Sequence, residues 1–414
     1  MTQAAALSQV HSLVADTEEK RVLIVEDAPD IRVKIAAMMD YLGYEVIEAE
    51  DGERAWEIYR QDPLRLVITD WMMPGMSGVE LCEKIRSHAS SRYTYVILMT
   101  SLDDDSSVVE GFNRGADDYV SKNITTDILY ARISAGERII ELQSRLHERN
   151  EELSKAYSTI ESGLKAAADT QQRLLPENDL IINGYHFNWN YIPSEFISGD
   201  TLNCFPLGKN EIGFYNIDVA GHGISAALLS VTIHQFITSK LLEAQLPQIS
   251  NGQPTEVSLN EPAKFVRLLN DTFTELSSDS EYFTVLYGTA NVDTATLKLC
   301  QAGHPNPMLA NPSGDITIIG EGGFPVGLMP DIDYEEFTVP FEKGARLYVY
   351  SDGVIEACNA QGEMFGEDRL INAIDGSARR DEVRDMAAIQ ADLHKWCGSE
   401  QFDDDVSMFT LECR

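Results

Sequence analysis

The sequence predicts an α/β domain, a doubly wound five-stranded parallel sheet, followed by a helical linker and an α+β domain, an antiparallel β-sandwich flanked by helices. Three observations predict this. In the first third, short apolar runs alternate with stretches of helical spacing five times over, the pattern of a parallel sheet with helices on both faces. From Ile124 to Leu175 there is no proline and little glycine, and apolar residues return every seventh position. Beyond Pro176, strand-like runs follow one another with only two helical stretches among them, which argues for antiparallel pairing.

The chain has 414 residues, enough for two or three domains, and its 43% hydrophobic and 24% charged residues are ordinary for globular protein. Its formal net charge of −35 argues against nucleic-acid partners, which need clustered Lys and Arg. No apolar run is long enough for a membrane span, and residues 1–20 read as a disordered leader without an export signal. The six cysteines are scattered, without metal-type spacing, which suits reduced thiols and a cytoplasmic location.

The first strand is Arg21-Val-Leu-Ile-Val-Glu, and Ile31 to Leu42 has helical spacing. Tyr44 to Ala49 is the second strand, Leu66-Val-Ile-Thr-Asp the third, Tyr95-Val-Ile-Leu-Met-Thr the fourth and Asp118-Tyr-Val-Ser-Lys the fifth. Glu26 and Asp27 follow the first strand, Asp70 ends the third, Thr100 the fourth and Lys122 the fifth. In open α/β sheets the crevice at the carboxyl ends of the strands is the usual ligand site. Carboxylates gathered there repel one another unless a cation neutralises them, and Mg²⁺ prefers such oxygen ligands. A lysine beside them can hold a phosphoryl group as a point charge.

Residues 21–140 resemble the receiver domain of bacterial response regulators. The likeness rests on Glu26-Asp27, on Asp70 ahead of Met73-Pro-Gly-Met-Ser-Gly78, and on Thr100 and Lys122. It implies that Asp70 accepts a phosphoryl group from a sensor histidine kinase and that Asp27 and Asp70 hold Mg²⁺. Thr100 and Tyr119 would be the switch residues, with Lys122 contacting the phosphate. Asn123 departs from the family, which usually has proline there.

In the connector, Ile139, Leu146, Leu153, Ile160, Ala167 and Leu174 form a seven-residue repeat. Glu141-Arg145, Glu151-Lys155, Glu161-Lys165 and Asp169-Arg173 are acid-to-base pairs four apart. Residues 141–176 are therefore expected to be a helical linker that Pro176 ends, read as a coiled coil that makes the protein a homodimer, the other reading being one long helix packed on the chain's own domains.

In residues 177–414 the expected strands are Tyr185 to Tyr191, Cys204 to Leu207, Glu211 to Val219, Phe283 to Val292, Thr296 to Gln301, Pro307 to Ala310, Arg346 to Ser351 and Val406 to Leu411. Helices are expected near Ile224 to Leu242 and Pro262 to Leu276, with a polar surface loop from Gln245 to Asn260. Asp200, Asp218, Asp352 and Asp404 lie in turn-rich contexts at strand ends. Carboxylates brought together from distant segments suit hard divalent cations, and two such ions can activate a water and stabilise an in-line phosphoryl displacement. No cysteine nucleophile motif or conventional GxSxG elbow competes with this chemistry.

From about residue 170 onward the chain resembles the PPM family of metal-dependent serine/threonine phosphatases, in the branch that includes the sporulation stage II E and sigma-regulating enzymes. The matching segments are Gln172-Arg-Leu-Leu-Pro176, Ser198-Gly-Asp200, Asp218-Val-Ala-Gly-His-Gly223, Ala302-Gly-His-Pro-Asn-Pro307, Tyr350-Ser-Asp-Gly353 and Asp404-Asp-Val-Ser407. The resemblance implies that Asp218 bridges two Mn²⁺ or Mg²⁺ ions with help from the Val219 carbonyl. Asp352 and Asp404 would hold the first metal, and Asp200 would act directly or through water. Ser198 replaces a usual glycine, and Thr201-Leu-Asn203 replaces two aromatics and an aspartate. His222 is read as a turn residue in preference to a proton donor, and His304 as a loop-shaping residue. The expected function is a response regulator whose Asp70 phosphorylation controls a serine/threonine phosphatase acting on a phosphorylated anti-sigma-factor antagonist. The rival is a noncatalytic adaptor, but such adaptors tend to lose the metal aspartates that this chain keeps.

Overall fold

A computed structural model of the chain describes residues 20–88, 92–100, 109, 111–245, 259–276, 281–378 and 385–414. The expected leader, apart from Lys20, and most of the expected loop between Gln245 and Asn260 lie outside the described residues. The chain divides into two compact units, Met1–Ser158 and Thr159–Arg414.

In the first unit β1 (Arg21–Val25), β2 (Glu45–Ala49), β3 (Leu66–Asp70), β4 (Tyr95–Thr100) and β5 (Asp118–Ser121) form one parallel sheet in the order β2-β1-β3-β4-β5. Helices α1 (Pro29–Tyr41), α2 (Gly52–Gln61) and α3 (Gly78–Ser87) connect strands, and α4 (Thr126–Gln172) follows β5. Side chains alternate across the pleat, so the inner strands feed two cores. Leu23, Val25, Val67, Val96 and Leu98 pack with Ala55 and Tyr59 of α2 and Leu81, Cys82 and Ile85 of α3. Val22, Ile24, Ile68, Ile97 and Met99 pack on the other face with Ile35 and Met39 of α1 and Leu129 and Ile133 of α4.

Local chemistry sets the helix starts. Pro29 opens α1 with its φ already helical, so this helix begins two residues before the expected Ile31. The Asp51 carboxylate accepts from the Arg54 N–H at 2.7 Å to cap α2. Ser77 and Glu80 form a reciprocal capping box on α3.

The connector helix α4 runs 47 residues. It ends at Gln172, short of the expected Leu175, and Pro176 keeps Leu175 out of helical ψ. Tighter bonds finish it, from the Leu174 N–H to the Gln171 carbonyl and from the Leu175 N–H to the Gln172 carbonyl. The Glu141–Arg145 and Glu161–Lys165 pairs form as expected. Glu151 lies 3.3 Å from His147, a partner the charge pattern did not suggest. Leu142, Leu146, Leu153, Tyr157 and Ile160 are all more than half exposed.

The second unit holds two antiparallel sheets. Its strands are β6 (Leu180–Ile182), β7 (Tyr185–Ile192), β8 (Thr201–Pro206), β9 (Glu211–Val219), β10 (Phe283–Asn291), β11 (Thr296–Ala302), β12 (Met308–Ala310), β13 (Ile316–Ile318), β14 (Glu336–Pro340), β15 (Arg346–Tyr350) and β16 (Val406–Cys413). Its further helices are α5 (Ile224–Gln245), α6 (Pro262–Leu276), α7 (Asp352–Ile355), α8 (Gly366–Ala378) and α9 (Asp385–Cys397). One sheet runs β14-β11-β10-β9-β8 and the other β13-β12-β15-β16-β7-β6.

The central core lies between the sheets, where Phe187, Leu347, Val349, Phe409 and Leu411 meet Leu202, Ile212, Phe214, Leu286 and Leu299. Outside the first sheet, Tyr215, Ile217, Val285 and Tyr287 pack on Ile233 and Ile237 of α5 and Phe265 and Phe273 of α6. Outside the second, Tyr348, Tyr350 and Met408 pack on Leu370 and Ile374 of α8 and Ile389 and Leu393 of α9. The result is a sandwich with helices on both outer faces. Strands β6, β13 and β14, which the sequence pattern did not predict, are short edge or near-edge strands with little burial. Strand β8 starts at Thr201, earlier than the expected Cys204.

Candidate functional site

In the first unit the strand-end residues converge as expected. Glu26 and Asp70 are buried, Thr100 is buried at the end of β4, and Asp27 is exposed. Carboxylate oxygens of Glu26, Asp27 and Asp70 all lie within 4.8 Å of one another. Glu26 Oε2 meets no hydrogen-bond donor. Burial pushes the Glu26 carboxyl above its usual range, and the Asp70 charge adds to that. A buried orphan oxygen within a carboxylate triad fits a hard cation such as Mg²⁺.

Lys122 Nζ lies 2.7 Å from Asp70 Oδ2 and donates to Glu26 Oε1 at 3.0 Å. Burial works against its charge, but these bonds outweigh that and raise its pKa. The Lys122 backbone N–H donates to the Thr100 carbonyl at 3.1 Å, tying the lysine to the end of β4. Tyr119 is more than a third exposed on β5, edge-on to Phe112. At Asn123 the backbone N–H donates to Ser121 Oγ at 3.3 Å, a bond that proline could not make.

The glycines of the segment after Asp70 have a steric reason. A Cβ at Gly78 would lie 2.0 Å from the Asp70 carbonyl oxygen, and Gly75 has φ +77°. Helix α3 therefore starts directly against the backbone of Asp70, and no larger residue fits at Gly78.

In the second unit the four aspartates stand at one edge of the sandwich. Asp200 precedes β8 and Asp218 lies near the end of β9, and these ends pair, Thr201 opposite Ile217. Asp352 follows β15 and Asp404 precedes β16, whose ends also pair, Tyr350 opposite Met408. Glycines let the segments close. A Cβ at Gly353 would meet the Asp405 carbonyl at 2.1 Å, and one at Gly199 would meet the Val219 carbonyl at 3.0 Å. Gly221 and Gly223, at φ +91° and +82°, turn the chain away after Val219.

Electrostatically the cluster is strained. Burial, then the charges of Asp352 and Asp404, pushes Asp218 up to about 8. Asp404 is raised by burial and by Asp352. Asp200 is almost wholly buried and driven far above its usual range by burial and then by Asp218, and neither of its oxygens meets a donor at hydrogen-bond geometry. Mutually repelling carboxylates with orphan oxygens, on four separate segments, fit divalent cations. Among the described residues they do not form a tight triad like that of the first unit.

Asp405 was not among the residues the sequence pattern singled out. It is buried, its Oδ1 accepting from the Ser194 N–H at 2.8 Å and Ser194 Oγ at 3.0 Å, and its Oδ2 from the Gly199 N–H at 2.8 Å. It thereby ties the Asp404 loop to the Asp200 loop. Ser198, in place of the usual glycine, steadies the same loop, because its Oγ accepts from the Asp200 N–H at 3.0 Å. Asn203 lies on β8 with its Oδ1 accepting from the Cys204 N–H. His222 is exposed, its Nδ1 3.7 Å from Glu195 Oε1.

His304 is buried and shapes its loop, with Nδ1 2.9 Å from Thr284 Oγ1 and its carbonyl accepting from Gln301 Nε2 at 2.6 Å. Burial pushes its pKa from the ordinary 6.5 down to about 3. The unfolded chain therefore takes up the proton first, so the stabilisation is complete above pH 6.5 and is lost as the pH falls. At pH 5 the loss should be about 2 kcal/mol relative to pH 7.5. His304→Asn should remove that part of the pH dependence in urea unfolding at the two pH values; an unchanged pH slope would count against a buried neutral imidazole.

Comparison with known proteins places two families on the chain. The family description "Response regulator receiver domain" fits residues 22–134, and "Stage II sporulation protein E (SpoIIE)" fits residues 208–414. The response regulator RppA of Synechocystis sp. is 37% identical over 120 residues, covering 28% of this chain and 50% of RppA. The phosphate regulon transcriptional regulatory protein PhoB of Pseudomonas aeruginosa is 34% identical over 116 residues, covering 28% of this chain and 51% of PhoB. The chain thus spans about half the length of these curated relatives. Among solved structures, the SiaA-PP2C domain of Pseudomonas aeruginosa superposes with a TM-score of 0.53 at 18% identity, covering 62% of this chain and 98% of that one, a likeness of fold. The chain belongs to the SpoIIE family, as a response regulator that joins a receiver domain to a PPM-type protein phosphatase domain.

Proposed function

We propose that this protein is a metal-dependent serine/threonine phosphatase whose activity is set by phosphorylation of Asp70. The observation that carries the reading is the buried, unpartnered carboxylate of Asp200 beside the mutually repelling Asp218, Asp352 and Asp404. Such a set costs stability unless cations occupy it. Asp218 would bridge two ions, Mn²⁺ or Mg²⁺, with the Val219 carbonyl beside it. Asp352 and Asp404 would hold the first ion, and Asp200 would act directly or through water. When bound, such ions activate water and neutralise the phosphoryl oxygens. Residues 21–140 would be the receiver, 141–176 the linker and 177–414 the phosphatase. In the receiver, Asp27 and Asp70 would hold Mg²⁺ beside Glu26, Asp70 would take the phosphoryl group from a sensor histidine kinase, and Lys122 would move from the Asp70 carboxylate onto the new phosphate. Thr100 and Tyr119 would be the switch.

The substrate class we propose is a phosphoserine or phosphothreonine on a small anti-sigma-factor antagonist. The test is Mn²⁺-dependent phosphate release from phosphoserine and phosphothreonine peptides, with p-nitrophenyl phosphate as a general substrate. No release from any of them with saturating Mn²⁺ would favour an adaptor instead. Among the described residues no helix is long and apolar enough to cross a membrane, and the free cysteines suit a reducing cytoplasm.

The exposed apolar stripe of α4 supports a homodimer through a coiled coil. Leu146→Asp with Leu153→Asp puts charge into that stripe and should shift the protein to monomer at micromolar concentration. Light scattering decides: a wild-type chain already monomeric there rules out the dimer.

A further inference from the structure

From Leu142 to Thr170 the connector helix is exposed at nearly every position, yet at Gln171 it buries a polar side chain. That side chain bonds Ser198 in both directions. Gln171 Nε2 donates to the Ser198 carbonyl at 2.6 Å, and Gln171 Oε1 accepts from the Ser198 N–H at 3.0 Å. Nε2 also donates to Ser230 Oγ of α5 at 3.0 Å, and that hydroxyl donates to the Ala227 carbonyl at 2.9 Å. The amide thus pairs with the Ser198 backbone as a neighbouring strand would, and joins it to α5. A leucine or methionine could fill the same volume but could not fix the direction of the Ser198 peptide.

Ser198 passes this on. Its Oγ accepts from the Asp200 N–H, and the next residue, Gly199, is held by Asp405. The loop bearing Asp200 is therefore held from three sides: by Asp405, beside the candidate ligand Asp404, by the Tyr191 hydroxyl, which donates to the Asp200 carbonyl at 3.1 Å, and by the last turn of α4.

We infer that Gln171 is a positioning residue for the metal-holding loop: it registers the end of the connector helix against Ser198, and so sets where the Asp200 carboxylate stands. The inference rests on the proposed metal-dependent activity. A turn of the helix end about its axis would carry the amide off Ser198, leaving its buried N–H without the Gln171 acceptor and its carbonyl with only the longer bond from Ser230 Oγ at 3.3 Å. The loop would then shift, and with it Asp200.

The experiment uses the full-length chain and Mn²⁺ alone as the probe. Gln171→Ala, the near-isosteric Gln171→Glu and the exposed neighbour Gln172→Ala are compared with wild type by calorimetric Mn²⁺ titration, amide hydrogen exchange, thermal melting and kinetics. Gln171→Glu keeps an acceptor for the Ser198 N–H but loses the donor to its carbonyl and to Ser230, so it tests the clamp without emptying the space. We expect Gln171→Ala and Gln171→Glu to bind Mn²⁺ about tenfold more weakly, the scale of losses at residues that orient metal ligands. Amides of 198–200 should exchange faster, the peptide KM should stay unchanged, and excess Mn²⁺ should restore the rate. Gln172→Ala should behave as wild type. Wild-type Mn²⁺ affinity and loop protection in Gln171→Glu overturn the inference, as does a lost rate that Mn²⁺ cannot restore. A wild-type protein that binds no Mn²⁺ overturns the phosphatase reading and this inference together.

Discussion

Asp218→Asn should lower Mn²⁺-dependent phosphate release by at least about a hundredfold while leaving the protein folded. Both Asp352 and Asp404 raise the pKa of Asp218 after burial has done so. An amide of the same shape removes the charge that a pair of cations would share. It also relieves the repulsion in the metal-free protein. The variant should therefore melt no lower than wild type in a chelator, while gaining less from added Mn²⁺. That pairing of outcomes separates a metal-holding role from a structural one, because a structural aspartate would lose stability when neutralised. Turnover near the wild-type rate in saturating Mn²⁺ would sink the assignment.

Much of both candidate sites was legible because most of the key residues lie at or near strand ends, several of them close to a small or turn-forming residue. Asp70 ahead of Gly78, and Asp352 ahead of Gly353, carry their own steric explanation in the sequence. Backbone must approach backbone there, and only glycine permits it. The run Asp403-Asp404-Asp405 was harder. Three equal side chains in a row give no sign of which one turns inward, and the answer depends on a loop some two hundred residues away, at Ser194 and Gly199. Gln171 was missed for a related reason. It sits in a stretch whose helical repeat is apolar, and a polar residue off that repeat reads as solvated until its partner at Ser198 is known. The strands β6, β13 and β14 escaped because edge strands of three to five residues are too short for an alternation to stand out. Helices α8 and α9 were also unforeseen, although Leu370 and Ile374, and Met386, Ile389 and Leu393, recur at helical spacing. That spacing is present in the sequence, within surroundings otherwise rich in strands.

Beryllofluoride, which mimics a phosphoryl group on aspartate, should change the phosphatase rate, and the expected sign is an increase. In the described state Lys122 is bound to the Asp70 and Glu26 carboxylates. A phosphoryl group on Asp70 adds charge and acceptor oxygens where Lys122 already sits, so the lysine must re-pair, and its backbone bond to Thr100 carries that change to the end of β4. Tyr119, exposed on the neighbouring strand, is the side chain free to follow. Helix α4 starts five residues after Ser121 and continues without a proline to Gln172. A bias at its beginning therefore has no break in the helix to absorb it before Gln171. The demand on such a bias is small: a ligand moves an equilibrium by its differential affinity for the two states, so a tenfold activation takes about 1.4 kcal/mol. The response should vanish in Asp70→Ala, and that variant should keep the rate of the untreated wild type. Equal rates with and without beryllofluoride, in protein shown by fluorine NMR to have bound it, would mean that Asp70 does not gate the enzyme, and the receiver would then have to act on something other than turnover, such as partner binding.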